Sequence, residues 1–343
     1  MRFLVVGLGG IGQRHVQNIR HLYGNSVEIL AARVRGLNHV LNDKLEIVAG
    51  EVEARYGIAR FPSVADALEQ RPDAVLVCNP TSMHVETATE AVNAGSHVFI
   101  EKPLSNSMKG VDALAAKIER NKLAGLVGYQ MRFHPCLIRL RSLIESGILG
   151  PLLTVRAEIG EYLPGWHRYE NYRDMYASRR SLGGGVILSQ IHEIDFLSSL
   201  VGLPRRVFAI GGHLSSLDID VEDTASTLME CEFDGRSLPV HLHQDYLQRP
   251  ASRICEVVGE NAKATIDFTR HTLEVVGPDG RLPDSFIAQG FERNDLFLDE
   301  MKHFVECVRG EAEPIVTVAE AALSLRVALA ARESIDTGKV VTL

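Results

Sequence analysis

A glycine-rich turn near the N-terminus constrains the fold of this chain more than any other stretch. Residues 2–6 are almost continuously apolar and predict a short buried strand, and residues 13–22 follow a helical pattern. Between them the sequence reads G-L-G-G-I-G, a G-x-G-x-x-G motif directly after a strand and before a helix. That context is typical of a dinucleotide site. The simpler alternative is an ordinary glycine-rich turn between a strand and a helix.

Each glycine of this turn has a mechanical role. Gly7 allows the tight turn, Gly9 lets the backbone approach a pyrophosphate, and Gly12 lets the helix pack close to its strand. The helix N-terminus adds unpaired N–H groups and the positive end of a dipole, both of which favour phosphate. The predicted cofactor-binding residues of the turn are Gly7, Gly9, Gly10, Ile11 and Gly12.

The residues after the second strand bear on the choice of dinucleotide. An acid normally ends this strand and holds the ribose hydroxyls. Here the strand is predicted at residues 27–31, Glu28 lies inside it, and Arg33 and Arg35 follow it. Because a guanidinium matches the oxygens of a 2′-phosphate, Arg33 favours NADP over NAD. The alternative is that both arginines are solvated loop charges.

Composition sets outer limits on structure and partners. A chain of 343 residues that is 45% hydrophobic can bury a large core, and its length suggests two domains. The net charge of −8 argues against a nucleic-acid surface, and no apolar run is long enough to span a membrane. Five scattered cysteines without a C-x-x-C pair fit a reducing cytoplasm and indicate no zinc site.

Strands and helices alternate through the first part of the chain. Beyond the first unit, the pattern predicts strands at residues 74–79, 97–100 and 124–128, with helices at 64–70, 83–93 and 107–121. Such alternation indicates a doubly wound parallel sheet. We therefore expect a dinucleotide-binding Rossmann domain over residues 1–130, in which the polar stretch 38–57 has no assigned structure.

The pattern changes after a helix predicted at residues 135–146. Short segments alternate like half-buried antiparallel strands, at residues 152–162, 206–214, 225–232, 239–246, 252–258, 264–267 and 272–276. Helices are predicted at residues 185–201, 294–309 and 318–337. These features predict an α+β domain over residues 131–343 with one large open, mostly antiparallel sheet. Its exposed face could pair subunits into a homo-oligomer, a dimer or a tetramer.

Two strand ends of the first domain carry polar side chains. In a parallel sheet, ligands bind outside the carboxyl ends of the strands. The ends that read Asn79-Pro80-Thr81 and Glu101-Lys102-Pro103 should therefore lie on the same edge as the glycine turn. Lys102 could hydrogen-bond a substrate oxygen and exchange a proton with it. The alternative is a surface lysine in a loop.

A second glycine run, Gly183 to Gly185, opens a largely apolar helix. Ser189, His192, Asp195 and Ser199 are spaced so that they form a narrow polar stripe along it. Because the pKa of histidine lies near neutrality, His192 is an acid or base candidate. The alternative is a histidine satisfied within the core.

These motifs together resemble the Gfo/Idh/MocA oxidoreductase family over essentially the whole chain, including a closing strand at residues 338–340. The resemblance implies a Rossmann domain, a second domain with an open sheet, and NAD(P)-dependent oxidation or reduction of a carbinol of a sugar, cyclitol or nucleotide sugar. It implies that Lys102 is the catalytic lysine and His192 the catalytic histidine. The segments that carry it are G-x-G-x-x-G, Asn79 to His84, Glu101 to Pro103, Gly128 to Pro135 and the G-G-G…H-x-x-D helix, and the implied cofactor-side residues are Asn79, Pro80, Thr81, His84, Glu101 and Lys102.

One position departs from the family pattern. The family often places an aspartate before the histidine in the same helix, and the nearest position here is Ser189. A carboxylate that orients His192 would have to come from Asp195 or Glu193.

The segment from residue 162 to 176 combines aromatic and cationic side chains and holds Trp166, the only tryptophan. Rings stack on sugar faces and arginine pairs with carboxylate or phosphate, so this loop favours a polyhydroxylated or anionic ligand. Its W-H-x-Y-x-x-Y-R run resembles family members linked to surface-polysaccharide sugars, whereas a loop anchored at a subunit contact is the alternative. The predicted substrate contacts are Arg132, Trp166, His167, Tyr169, Arg173, Ser189 and Asp195.

The sequence therefore predicts hydride transfer between NADP(H) or NAD(H) and a sugar-like carbinol held between Lys102 and His192. No metal is expected, because His241 and His243 lack a third ligand at suitable spacing. Two alternatives stay open: a hydrolase or epimerase that retains its nicotinamide cofactor, and a non-catalytic dinucleotide sensor.

Overall fold

The computed structural model describes residues 1–33, 39–42, 46–280 and 284–343. Its strands are β1 (Arg2–Val6), β2 (Glu28–Ala32), β3 (Val40–Leu41), β4 (Ile47–Val48), β5 (Ile58–Phe61), β6 (Ala74–Val77), β7 (His97–Glu101), β8 (Gly125–Gly128), β9 (Leu152–Gly160), β10 (Pro204–Gly212), β11 (Thr224–Phe233), β12 (Arg236–Asp245), β13 (Ser252–Gly259), β14 (Lys263–Asp267), β15 (Thr272–Val276), β16 (Asp284–Ile287) and β17 (Val341–Thr342). Its α-helices are α1 (Gly10–Tyr23), α2 (Val52–Tyr56), α3 (Val64–Leu68), α4 (His84–Asn93), α5 (Val111–Arg120), α6 (Pro135–Glu145), α7 (Val186–Ser189), α8 (His192–Val201), α9 (Arg293–Val308) and α10 (Val318–Thr337).

The first sheet has six strands in the order β5-β2-β1-β6-β7-β8, and all its pairs are parallel. This confirms the doubly wound fold. Helices cover both faces, so strands such as β1 and β6 are buried along most of their length. The strand order reverses between β1 and β6, and there the glycine turn follows β1 and Asn79 follows β6. This is the position where such sheets bind ligands.

The second sheet has nine strands in the order β16-β15-β14-β13-β9-β12-β11-β10-β17. Its pairs are antiparallel except for β12 with β9, which agrees with the predicted open, mostly antiparallel sheet. Helices α7, α8 and α10 contact one face. The other face is open, so Ile210 on β10 is 67% exposed and Leu228 on β11 is 56% exposed.

The C-terminal segment joins the two sheets. Val127 N–H in β8 donates to the carbonyl of Val316, and a β-bridge pairs Leu126 with Thr317. From there α10 contacts both α5 and β10, and β17 then pairs with the outer edge of β10. Within the described residues, no helix is both long and apolar enough to cross a membrane.

Several sequence-based boundaries were wrong by two residues or more, and three of them have a clear local cause. The helix expected at residues 107–121 begins only at Val111, because Gly110 adopts a φ of +78° before it. The closing strand lies at Val341–Thr342, after Gly338 ends α10 in the left-handed conformation. The helix expected at residues 185–201 is two helices, α7 and α8, separated at Gln190 and Ile191.

Candidate active site

The glycine turn is tight on one side and open on the other. Gly7 has a φ of +96°, and a Cβ there would lie 2.7 Å from the carbonyl oxygen of Cys78. A Cβ on Gly12 would overlap the carbonyl oxygen of Gly7. At Gly9, by contrast, no described atom lies within 4 Å of the Cβ position, and the neighbouring Ile11 is only half-buried. The N-terminus of α1 has no side-chain cap from any described residue and no acidic residue in its first turn. This side of the turn can therefore accept an anionic group.

Arg33 lies at the end of β2, where the sequence predicted a reader of the 2′-phosphate. Its Nη2 lies 2.7 Å from Glu53 Oε1 of α2, and its side chain is only 7% exposed. The alternative of a solvated loop charge is therefore wrong for Arg33, while Arg35 lies outside the described residues. The guanidinium at this position is already paired with a carboxylate.

His84 ties two strand ends of the first sheet together. Its Nδ1 lies 2.8 Å from the carbonyl oxygen of Pro103, and its Nε2 lies 2.8 Å from that of Asn79. Burial lowers the pKa of His84 below its usual value. Asn79 Nδ2 donates to Thr87 Oγ1, whereas its buried Oδ1 has no partner among the described residues. His84 thus holds the loops in place, and Asn79 keeps an acceptor available.

The following residues bring the second domain to the same edge. Pro80 is half-buried, and Thr81 is 2% exposed in a short 3₁₀ turn. A Cβ on Gly183 would lie 2.8 Å from Thr81 Cβ. The end of β6 and the second glycine run are therefore in direct contact.

Lys102 bridges the two domains. Its Nζ donates to the carbonyl oxygen of Ser189 at 2.8 Å. Burial lowers the pKa of Lys102 to about 8, and the negative charge of Glu101 opposes that shift only in part. Glu101 itself is engaged, because His15 Nε2 lies 2.5 Å from its Oε1 and the Lys102 amide donates to its Oε2. The sequence placed Lys102 correctly at a strand end, and the structure shows that it faces the second domain.

The break between α7 and α8 makes this contact possible. A carbonyl in the last turn of a helix has no partner within the helix, and here Lys102 supplies one to Ser189. The next carbonyl, of Gln190, accepts from Gln244 Nε2 at 2.9 Å, and Gln190 Nε2 donates to the carbonyl of Asp245 at 3.0 Å. Strand β12 therefore holds the break open.

His192 begins α8 directly after this break. It is 6% exposed, its ring lies edge-on to Tyr129 at 5.8 Å, and its buried Nδ1 has no partner within the described part of the chain. Burial lowers the pKa of His192 well below its usual value, and the positive charges of Lys102, Arg253 and Arg293 lower it further. The imidazole is therefore neutral at pH 7.

Neither carboxylate that the sequence offered as a partner of His192 serves in that role. Glu193 Oε1 accepts from Arg253 Nε at 2.6 Å. Asp195 accepts two bonds from Arg132, from Nε at 2.6 Å and from Nη2 at 3.0 Å, and it is 1% exposed. The continuous polar stripe is also wrong, because it assumed one unbroken helix. Ser189 is buried beside the phenols of Tyr176 and Tyr246.

Several predicted substrate contacts are engaged within the protein. Arg132 is held by Asp195, as above. Trp166 packs edge-on against Tyr246 of the same chain, with the ring centroids 5.3 Å apart. Arg173 Nε donates to Asp218 Oδ2 at 2.8 Å in an exposed ion pair.

His167 and Tyr169 lie elsewhere in the same loop, and Tyr169 contacts the first domain. His167 Nδ1 lies 2.8 Å from Glu170 Oε1, and its ring stacks on Tyr169 at 5.1 Å with an interplanar angle of 19°. A Cβ on Gly10 would overlap the Tyr169 hydroxyl. Tyr169 therefore lies on the glycine turn, and His167 packs against Tyr169.

Sequence analysis missed two cations that act on the site, Arg253 and Arg293. Their charges lower the pKa of both Lys102 and His192. The sequence carried a signal for Arg253. Arg253, Cys255 and Val257 occupy every second position of β13 and therefore share one face, and the burial of Cys255 and Val257 shows that this is the covered face of the sheet. Arg293, the first residue of α9, had no such signal.

The turn fits a dinucleotide. Open space at Gly9, an uncapped helix N-terminus and the unpartnered Oδ1 of Asn79 all lie along one edge of the sheet. These groups would hold the phosphates and the nicotinamide end of such a cofactor.

Comparisons with known families agree with this geometry. Residues 1–129 match the N-terminal domain of the Gfo/Idh/MocA family, described as an oxidoreductase family with an NAD-binding Rossmann fold. Residues 137–265 match a C-terminal domain of the same family.

Individual relatives match most or all of the chain. The chain is 27% identical to scyllo-inositol 2-dehydrogenase (NAD(+)) of Bacillus subtilis, over all of this chain and 96% of that protein. It is 28% identical to UDP-N-acetylglucosamine 3-dehydrogenase of Acidithiobacillus ferrooxidans, over 80% of this chain and 76% of that protein. Among solved structures, the WlbA dehydrogenase of Bordetella pertussis in complex with NADH and UDP-GlcNAcA shares the fold, with a TM-score of 0.78 at 22% identity over 100% of this chain and 98% of that one.

Proposed function

Because the chain belongs to the Gfo/Idh/MocA oxidoreductase family, we propose that it transfers a hydride between a nicotinamide dinucleotide and a carbinol or ketone of a sugar, cyclitol or nucleotide sugar. The observation that carries the proposal is the bond from Lys102 Nζ to the Ser189 carbonyl. It sets an amine of the first domain beside the segment of the second domain that carries His192. The inositol and UDP-sugar dehydrogenases among its relatives support the substrate class.

Lys102 and His192 would divide the work at the substrate oxygen. A nicotinamide cofactor bound along the glycine turn supplies the hydride chemistry. In the oxidation direction, Lys102 Nζ takes the hydroxyl proton, and in the reduction direction it returns that proton. The neutral imidazole of His192 hydrogen-bonds the same oxygen and fixes its position. Burial removes competing water from both groups and strengthens these bonds.

The proposed preference for NADP depends on Arg33. Its guanidinium would exchange Glu53 for the 2′-phosphate, because a doubly charged phosphate is the stronger acceptor. We expect Arg33→Ala to weaken NADPH binding by about tenfold, the cost of one charge-assisted hydrogen bond, and to leave NADH binding unchanged. Calorimetric titration with both cofactors measures this. An equal loss for NADH would show that Arg33 does not read the 2′-phosphate.

The same proposal includes the assembly of the protein into a homo-oligomer and its location in the cytoplasm. The open face of the nine-stranded sheet, with Ile210 and Leu228 exposed, is suited to pairing with a second copy. The five cysteines are buried and free, which fits the reducing cytoplasm. Light scattering of the purified protein measures the subunit count.

The direct test is Lys102→Ala assayed on a panel of sugars, inositols and nucleotide sugars. We expect kcat to fall by about 10²- to 10⁴-fold, the usual contribution of a positioned acid or base, while the Kd of NADH stays within about twofold. Lys109→Ala is the matched control, because Lys109 is an exposed lysine in the same segment.

Three results would contradict the proposal. The first is a near wild-type rate in Lys102→Ala. The second is cofactor that stays bound through gel filtration together with turnover when none is added, which identifies a hydrolase or epimerase. The third is normal cofactor binding with no turnover on any substrate, which identifies a sensor.

A further inference from the structure

One aromatic side chain of the second domain lies directly on the glycine turn of the first. A Cβ on Gly10 would overlap the Tyr169 hydroxyl oxygen, and Tyr169 Cζ lies 3.3 Å from that Cβ position. Gly10 is the first residue of α1, so the phenol sits at the helix N-terminus. Leu41 Cδ1, at 3.8 Å, borders the same position from the first domain.

The hydroxyl of Tyr169 is buried without a partner. Its oxygen is shielded from solvent and makes no hydrogen bond to any residue that the structure describes. Such a group is costly unless a ligand satisfies it. Burial, together with the negative charge of Glu170, raises the pKa of Tyr169 well above its usual value, so the hydroxyl keeps its proton and remains a donor.

The ring is also held in a fixed orientation. The His167 ring stacks on it, and His167 Nδ1 is hydrogen-bonded to Glu170 Oε1. Two neighbouring groups therefore restrict the rotation of the phenol and keep its donor at the turn. A fixed donor loses little entropy when it binds a ligand.

We propose that Tyr169 donates its hydroxyl hydrogen to a phosphate oxygen of the dinucleotide, so that a residue of the second domain completes the phosphate site of the first. The inference rests on the proposed dinucleotide binding, and it moves Tyr169 from the substrate side to the cofactor side. Gly10 then has a specific reason to be glycine, because any side chain there would displace the phenol.

The test is Tyr169→Phe, which removes only the hydroxyl. We expect the Kd for NADH, measured by calorimetry, to rise about tenfold, and the Kd for ADP-ribose to rise by the same factor. ADP-ribose carries the diphosphate but no nicotinamide, so an equal loss locates the contact at the phosphates. The melting temperature of the cofactor-free variant should be unchanged or raised, since an unpartnered hydroxyl has been removed.

Tyr172→Phe is the matched control. Tyr172 lies in the same loop, but its hydroxyl accepts a bond from the Asp218 amide. It should lower the melting temperature and leave both Kd values unchanged. An unchanged Kd in Tyr169→Phe, a loss for NADH without one for ADP-ribose, or an equal loss in Tyr172→Phe would each overturn the inference. A wild-type protein that binds neither ligand would overturn the proposed function itself.

Discussion

Two glycine runs open helices in this molecule, and they differ in the space available around their Cβ positions. At the first, Gly9 has no described neighbour within 4 Å of a Cβ position, so the space outside the backbone is available. At the second, a Cβ on Gly184 would overlap the carbonyl of Tyr176, and one on Gly185 would overlap the Glu222 carboxylate. The first run is packed against the chain at Gly7, Gly10 and Gly12 and is open at Gly9, whereas the second run is packed against the chain at every glycine. Glycine-rich composition alone does not distinguish the two, because the distinction depends on residues far away in sequence.

Gly185→Ala, in the second run, should have a larger effect on stability than a substitution at the open position Gly9 of the first run. Gly185 has a φ of +110°, and a Cβ there would lie 2.6 Å from Arg332 Nη2 as well as overlapping Glu222. That methyl would break a largely buried ion pair, so we expect a loss of about 3–5 kcal/mol in the free energy of unfolding, measured in urea.

Gly202→Ala is the control for backbone strain. Gly202 has a φ of +84°, but its nearest Cβ neighbour is the Glu232 carbonyl at 3.7 Å. We expect it to cost about 1–3 kcal/mol, the strain of a backbone conformation that essentially only glycine adopts. A similar cost for both variants would mean that the second run is not packed against Glu222 and Arg332.

The first run should respond to Gly9→Ala in binding rather than in stability. Gly9 has extended backbone with φ of −70°, which alanine adopts freely, and the position is open. We expect a free energy of unfolding within about 0.5 kcal/mol of wild type. The Kd for NADH should rise about 30-fold, or ~2 kcal/mol, because the methyl group obstructs the approach of the pyrophosphate.

Gly165→Ala serves as the matched control for this variant. Gly165 is exposed and also has no described neighbour within 4 Å of its Cβ position. It should leave both the stability and the Kd unchanged. If Gly9→Ala binds NADH normally, the open side of the turn is not the ligand side.

The second run opens the helix whose Ser189 carbonyl accepts a hydrogen bond from Lys102. The pH dependence of kcat/KM tests whether the Lys102 at this contact takes part in catalysis. With a pKa of about 8, Lys102 loses its proton as the pH rises through 8. Oxidation needs the free amine, so kcat/KM for oxidation should rise about tenfold per pH unit below pH 8 and level off above it. Reduction needs the ammonium and should decline above pH 8. A flat oxidation profile between pH 7 and 9 would remove Lys102 as the base.

Local signals explain what could be predicted from the sequence. The bounds of α10, residues 318–337, were predicted correctly because Thr317 and Glu320 form a capping box at its start and Gly338 ends it. Strands β1 and β6 were recognisable as short apolar runs. Each of these signals lies within a few residues of the element that it specifies.

Other features depend on partners distant in sequence. The carbonyls at the break before His192 accept hydrogen bonds from Lys102 and Gln244. The Tyr169 hydroxyl packs against Gly10, which is 159 positions away. The helical periodicity of residues 185–201 does not show that the carbonyls of Ser189 and Gln190 accept hydrogen bonds from residues outside the helix. Strand β5 was not predicted, because only Ile58 of its four residues is buried and the segment shows no apolar run.

The stretch from Val316 to Leu343 closes one lateral border of each sheet, with the bridge to β8 at one end and β17 at the other. Unpaired strand borders invite addition of a foreign strand and then aggregation. Deleting these residues would uncover both borders at once, so shortened versions of this protein should form insoluble assemblies even where the cofactor turn is intact.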